Sequence, residues 1–331
     1  MTSITDSHEI ARTGAPAPLV RMFGWGMMAA LAAFLINNIL VVGFGFAGVR
    51  GALNGGGMTG WANVLVYAIA IGGAVAYVMQ TPDNALRWDA DRIHRFNKLI
   101  IRCLFWAVLL TGIVDATIAF MRVEKLLLYF MDEDSARFFA KSRLVGTYIH
   151  IPLLFLGILI GLFTRTLGFT WLALLIVGAE LAIVFTRFVF SYEQALMGDL
   201  VRYWYAALFL FASAYTLFDE GHVRVDVLYA GFGLTTRGFV NAYGSILLGM
   251  TTCWVIIGIG FNGKQSIING AVKNFEVSQT GTVGMFIKYQ MAAFLGIFAI
   301  TMLIQFISYF FEAVADKRGE PGHREHEAVG H

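Results

Sequence analysis

The stretch FGWGMMAALAAFLINNILVVGFGFAGV, Phe23–Val49, runs without one ionisable side chain. At 1.5 Å rise per residue, about 20 such residues cross a hydrocarbon core roughly 30 Å thick. Similar runs recur along the chain: Trp61–Met79, Leu99–Met121, Val145–Phe163, Phe169–Phe190, Leu200–Phe218, Phe239–Phe261 and Gly284–Val314. The composition agrees. Hydrophobic residues make up 58% of the 331 and Phe alone occurs 29 times, whereas a soluble domain is about 45–50% apolar. The reading is an all-α, polytopic integral membrane protein with about eight transmembrane helices.

Polar segments punctuate the runs. QTPDNALRWDADRIHRFNK precedes Leu99 as a basic loop, and the tail DKRGEPGHREHEAVGH is read as disordered. Arg122–Leu144 reads as an amphipathic helix in the membrane interface, with Leu126, Tyr129, Phe130 and Met131 on acyl chains. Arg87, Arg92, Arg95, Lys98 and Arg102 cluster before and at the start of the third span, and both tails carry basic residues. By the positive-inside rule, eight spans with both termini cytoplasmic satisfy these positions. Arg122–Leu144 also carries basic residues and falls on the outer side, held at headgroups. The net charge of +2 and the absence of a Lys/Arg block leave no nucleic-acid patch. Cys103 and Cys253 form neither a disulfide framework nor a metal spacing. Met1–Val20 is polar and lacks a cleavable signal pattern.

Between two apolar runs stands DEGHVRVDVLY, Asp219–Tyr229. Asp219 and Glu220 stop the sixth span, since a charged residue costs about 2.5–3.5 kcal/mol at a helix centre. Gly221 can close the helix in a left-handed conformation. Extended, His222, Arg224 and Asp226 alternate with Val223, Val225 and Val227; helical, His222 faces Asp226. Acids at a helix C-terminus oppose the macrodipole, so a basic partner is expected there. Deep inside the spans ionisable and amide side chains are few, Asn37, Asn38, Asp115, Glu180 and Arg187 among them. Glu180 and Arg187 share a face two turns apart. They form an intramembrane pair, or each reaches another helix. Asp115 stands alone in its span, so its partner lies elsewhere in the bundle. So few polar groups suit a scaffold better than a complete carrier.

GHVRVDVLY after a helix that ends in an acid resembles the signature of the small membrane subunit of tripartite ATP-independent periplasmic (TRAP) transporters. TRFVF at Thr186–Phe190, with Arg187, is similar to the end of that family's first helix. YEQALMGDL, with Asp199, is similar to the acidic entry into its second. After the acid Glu220, Gly221, His222, Arg224, Val225 and Asp226 carry the closest likeness. The resemblance covers roughly Phe169–Val314. The family's usual small subunit has four spans, and this chain departs from it: a tail over 1–20 and a four-helix extension over 21–165 precede the family's four-helix domain over 166–315 and a tail over 316–331. The resemblance further implies a non-enzymatic subunit of the bacterial inner membrane that braces a large membrane subunit. That partner would work as an elevator, hold the sodium ions, and receive an organic acid from a periplasmic substrate-binding protein. No cofactor is expected in this chain. Rival readings are a self-sufficient carrier and a haem-binding redox subunit. The latter needs paired axial histidines within the bilayer, and His94, His150 and His222 offer none at mid-span. His323, His326 and His331 in the tail are a weak metal-binding alternative.

Overall fold

A computed structural model describes residues 11–55, 57–165, 169–218, 229, 231–278 and 283–323. Eight helices among them are long and apolar enough to cross a membrane. They are α1 (Pro18–Phe44), α2 (Gly57–Gln80), α3 (Leu86–Val123), α4 (Ser142–Phe163), α5 (Phe169–Phe190), α6 (Ala195–Phe218), α7 (Leu234–Gly260) and α8 (Lys288–Lys317). Apart from an isolated bridge between Thr13 and Asn84, the described residues contain no strand. Hydrocarbon explains this, because a helix satisfies its backbone internally where no water is available. Asp219, Glu220, Gly221, His222, Arg224 and Asp226 lie outside the described residues, as do His326 and His331.

Three sequence expectations change. The basic segment before Leu99 is not a loop: α3 starts at Leu86 and carries it as helix. Its Arg and Asp side chains find partners there, so the helix need not stop where hydropathy falls. Arg122–Leu144 is not one amphipathic helix. Lys125 takes a left-handed φ of 59°, and helical turns follow at Leu127–Phe130 and Glu133–Phe139. Ser142–Val145 already begins α4. The tail after α8 is held at least through His323, as described below.

The chain forms two compact units. The first comprises Met1–Asn97, Thr216–Val255 and Met302–His331, the second Lys98–Tyr215 and Ile256–Thr301. In the first, α1 packs against α2, and close approaches use glycine. A Cβ on Gly24 would overlap the Phe311 ring, and one on Gly238 would lie 2.6 Å from the Ala313 carbonyl. Asn37 of α1 donates to the Asn63 carbonyl of α2 at 3.1 Å.

In the second unit, α4 meets α3 through Gly157 and Gly161. A Cβ on Gly157 would sit 2.8 Å from the Ala107 Cβ, and one on Gly161 2.5 Å from the Cys103 Cα. This is the small-xxx-small seam of membrane helices, with Ala107 and Cys103 as the matching pair. Where α4 begins, Gly146–His150 forms a π-helical turn. Pro152 has no N–H to give the Tyr148 carbonyl, so the ladder loosens and the turn widens. His150 lies in that turn, fully buried.

Candidate functional site

In the second unit a chain of buried polar side chains begins at Asp115, about two turns before the C-terminal end of α3. One carboxylate oxygen accepts the Phe286 backbone N–H at 2.7 Å. The other lies 3.1 Å from His150 Nε2. His150 Nδ1 is 2.9 Å from the Tyr289 hydroxyl, which accepts from Gln290 Nε2 at 3.1 Å. Gln290 Oε1 in turn accepts the Tyr203 hydroxyl. Asp115, His150 and Tyr203 have no solvent exposure. Burial of so many polar groups is tolerable because each has a partner.

The network fixes the connection between α7 and α8. After a short helix, Ile267–Asn274, the chain turns at Phe275 with a φ of 50°. Met285, Phe286 and Ile287 are buried. Their backbone is held from two helices. Asp199 of α6 accepts the Met285 N–H at 3.0 Å, and Asp115 takes that of Phe286. Arg122 donates to the carbonyls of Phe139 and Gly284 and lies 4.0 Å over the Phe286 ring. Glu276 meets Lys288 at 2.5 Å.

Beside this connection opens a groove of about 770 Å³. Met285, Ile287 and Met291 contribute apolar surface, while Glu193, Arg202 and Lys288 contribute charge. Arg202 stands 3.6 Å from Asp199 and Arg187 stands 3.3 Å from Glu193. Tyr192 donates to Glu124, and desolvation, aided by that contact, pushes its phenol up to about 12.

The residues singled out in the sequence therefore separate. Asp199 is buried inside α6 and serves the 283–288 backbone. Arg187 turns to Glu193, and Glu180 is exposed on α5. The motif at Glu220–Asp226 is outside the described residues. His94, expected in a loop, is buried in α3, stacks on Phe218 at 3.3 Å and lies 3.1 Å from Gln305 Oε1. His150 has both ring nitrogens engaged, by Asp115 and Tyr289 and not by a second histidine.

Polar content inside the first unit is also larger than expected. Buried Arg21 meets Asp89 at 2.7 Å, and Trp25 donates to the same oxygen at 2.9 Å. Arg87 reaches Glu312 at 2.6 Å and Asp316 at 2.8 Å. It also donates to the carbonyls of Pro321 and Glu320, tying down the residues after α8. His323 adds a contact to Asp316 at 2.9 Å. Burial raises the Glu320 carboxyl above its usual range, although Arg318 and Arg87 pull it back. Among the described residues no group of three or more His, Cys, Asp or Glu is placed to hold a metal ion.

The Arg87 and Asp115 clusters were missed in the sequence because their partners lie far along the chain. GILIG at Gly157–Gly161 was a visible signal for the α3–α4 seam. In this arrangement the ionisable groups mostly clasp helices and loops to one another.

Residues 176–315 match the family model described as tripartite ATP-independent periplasmic transporters, DctQ component. No curated protein and no solved structure compared with the chain matches it.

Proposed function

We propose that this multi-span membrane protein, which carries the small membrane component of a TRAP transporter over residues 176–315, braces the large membrane subunit of that transporter. The family match carries the reading. The internal architecture supports it: the buried polar groups hold the backbone at 283–288 and the C-terminal residues, which is the work of a rigid support. The large subunit then moves the solute, an organic acid, and couples it to sodium. A periplasmic substrate-binding protein delivers it. The inner membrane is the location, with both termini on the cytoplasmic side. Residues 166–315 form the family's domain, and 21–165 add four helices in front.

With both ends cytoplasmic, the α5–α6 turn and the start of α8 face the periplasm. The groove rimmed by Arg202, Lys288 and Glu193 then offers charge to the binding protein. The test is co-expression of the full chain with the large membrane subunit, purification in mild detergent, and uptake by proteoliposomes with the binding protein present. A stable two-subunit complex whose uptake needs both chains and a sodium gradient is expected. Solute uptake by this chain alone would overturn the reading.

A further inference from the structure

Glu180 lies at the centre of the span Thr170–Phe190 and is exposed. No hydrogen bond or ion pair from the described residues reaches it. About 15 Å of helix separates it from either end of the span, and a side chain as short as glutamate does not snorkel that far. A carboxyl group left in hydrocarbon at that depth is costly, and such residues mark functional contacts.

The helix around it is the least covered of the eight. Only 6% of its apolar window is buried, against 50% for α3 and for α8. What α5 does pack lies on one stripe. Leu172 and Ile176 are buried, and Ala179, Ile183 and Thr186 are half-buried. At 3.6 residues per turn, Val177, Glu180, Val184 and Arg187 share a second face, roughly a quarter-turn round from that stripe. Val177 is 55% exposed and Val184 51%. Arg187 is already committed to Glu193, so the face presents a carboxyl group flanked by apolar surface. By contrast α2, also thinly covered, has no Asp, Glu, Lys, Arg or His, and lipid alone suits it.

We propose that the α5 face formed by Val177, Glu180, Val184 and Arg187 docks a transmembrane helix of the large membrane subunit, which brings a basic or hydrogen-bond-donating side chain to Glu180 at mid-bilayer depth. This rests on the small-subunit reading, and all four residues lie within the matched segment 176–315. A second copy of the chain fits less well. A two-fold contact through this face sets the same surface against itself, so Glu180 meets its own counterpart and not a donor.

The test co-expresses the tagged full chain with the large subunit and measures how much of it is retained in mild detergent. Glu180→Leu and Val184→Trp are each expected to lower retention at least tenfold, with the chain itself still monodisperse. Glu180→Gln keeps a hydrogen-bonding group and is expected to retain most of it. Ala182→Trp, exposed on the opposite side of α5 from this face, is expected to retain all of it. Wild-type retention in both Glu180→Leu and Val184→Trp would overturn the docking face while leaving the small-subunit reading intact. Failure of the wild-type chain to retain the large subunit would overturn that reading, and the docking face with it. A wild-type homodimer that Glu180→Leu disperses would show the occupant to be a second copy and would overturn the proposal.

Discussion

His150 Nε2 lies 3.1 Å from Asp115 Oδ1, and neither side chain touches solvent. The two residues come from different helices, α4 and α3, and the same carboxyl group holds the Phe286 N–H. One buried contact thus joins two spans to the entrance of α8. It also reaches across the start of the matched segment at residue 176: Asp115 and His150 precede it, and Tyr289 and Phe286 fall within it. Within this unit the leading helices and the matched helices share one core.

Asp115→Leu is expected to destabilise the protein strongly, because it orphans both His150 Nε2 and the Phe286 N–H. Each buried group left without a partner costs about 1–3 kcal/mol. Asp115→Asn keeps an acceptor for Phe286 and is expected to lose less. Thermal unfolding of the purified chain in detergent ranks the two. Equal midpoints for wild type and Asp115→Leu would contradict the role assigned to this carboxyl group.

Arg87→Lys tests the anchor of the C-terminal residues. A guanidinium serves two carboxylates and two carbonyls in one fork, and a single ammonium does not. Tryptic cleavage after Lys317 and Arg318 is expected to accelerate several-fold in the variant. Mass spectrometry of a digestion time course provides the readout. Unchanged rates would mean that the contacts do not hold this segment.

Gly157→Leu probes the α3–α4 seam. Its side chain meets the Ala107 backbone, and overpacking of this kind costs about 1–3 kcal/mol or more. Gly72→Ala is the contrasting variant, since a Cβ there meets nothing within 4 Å. Helix propensity favours Ala over Gly by about 1 kcal/mol. A lowered melting temperature is expected for the first, and an equal or higher one for the second.

Asp132 caps Glu133–Phe139, accepting from the Ser135 hydroxyl at 2.8 Å and its N–H at 3.2 Å. These hydrogen bonds hold its carboxyl below the usual range. A depressed carboxyl contributes stability that is present above its unfolded value, about 3.9, and is lost as pH falls through the folded one. Amide exchange in Glu133–Phe139 is therefore expected to quicken, relative to intrinsic rates, between pH 6 and pH 3. Asp132→Ala should exchange quickly at both. A wild-type profile insensitive to pH would rule the cap out as the source.

The sequence alone determined that this is an all-α membrane protein, with eight helices among the described residues long and apolar enough to cross a bilayer. Apolarity sufficient for hydrocarbon must be present locally in each span, as in Phe23–Val49 or Phe169–Phe190, and needs no partner to be read. The match over 176–315 is likewise written in linear order. Tertiary structure decided what the charges do. Arg87 looked like a loop residue, yet it grips Glu312 and Asp316 more than two hundred positions away. Asp115 looked solitary until α4 brought His150 to it. Helix ends moved for the same reason. Paired charges let α3 begin at Leu86, well before its apolar stretch, because a satisfied ion pair removes the penalty that hydropathy assigns to each residue singly.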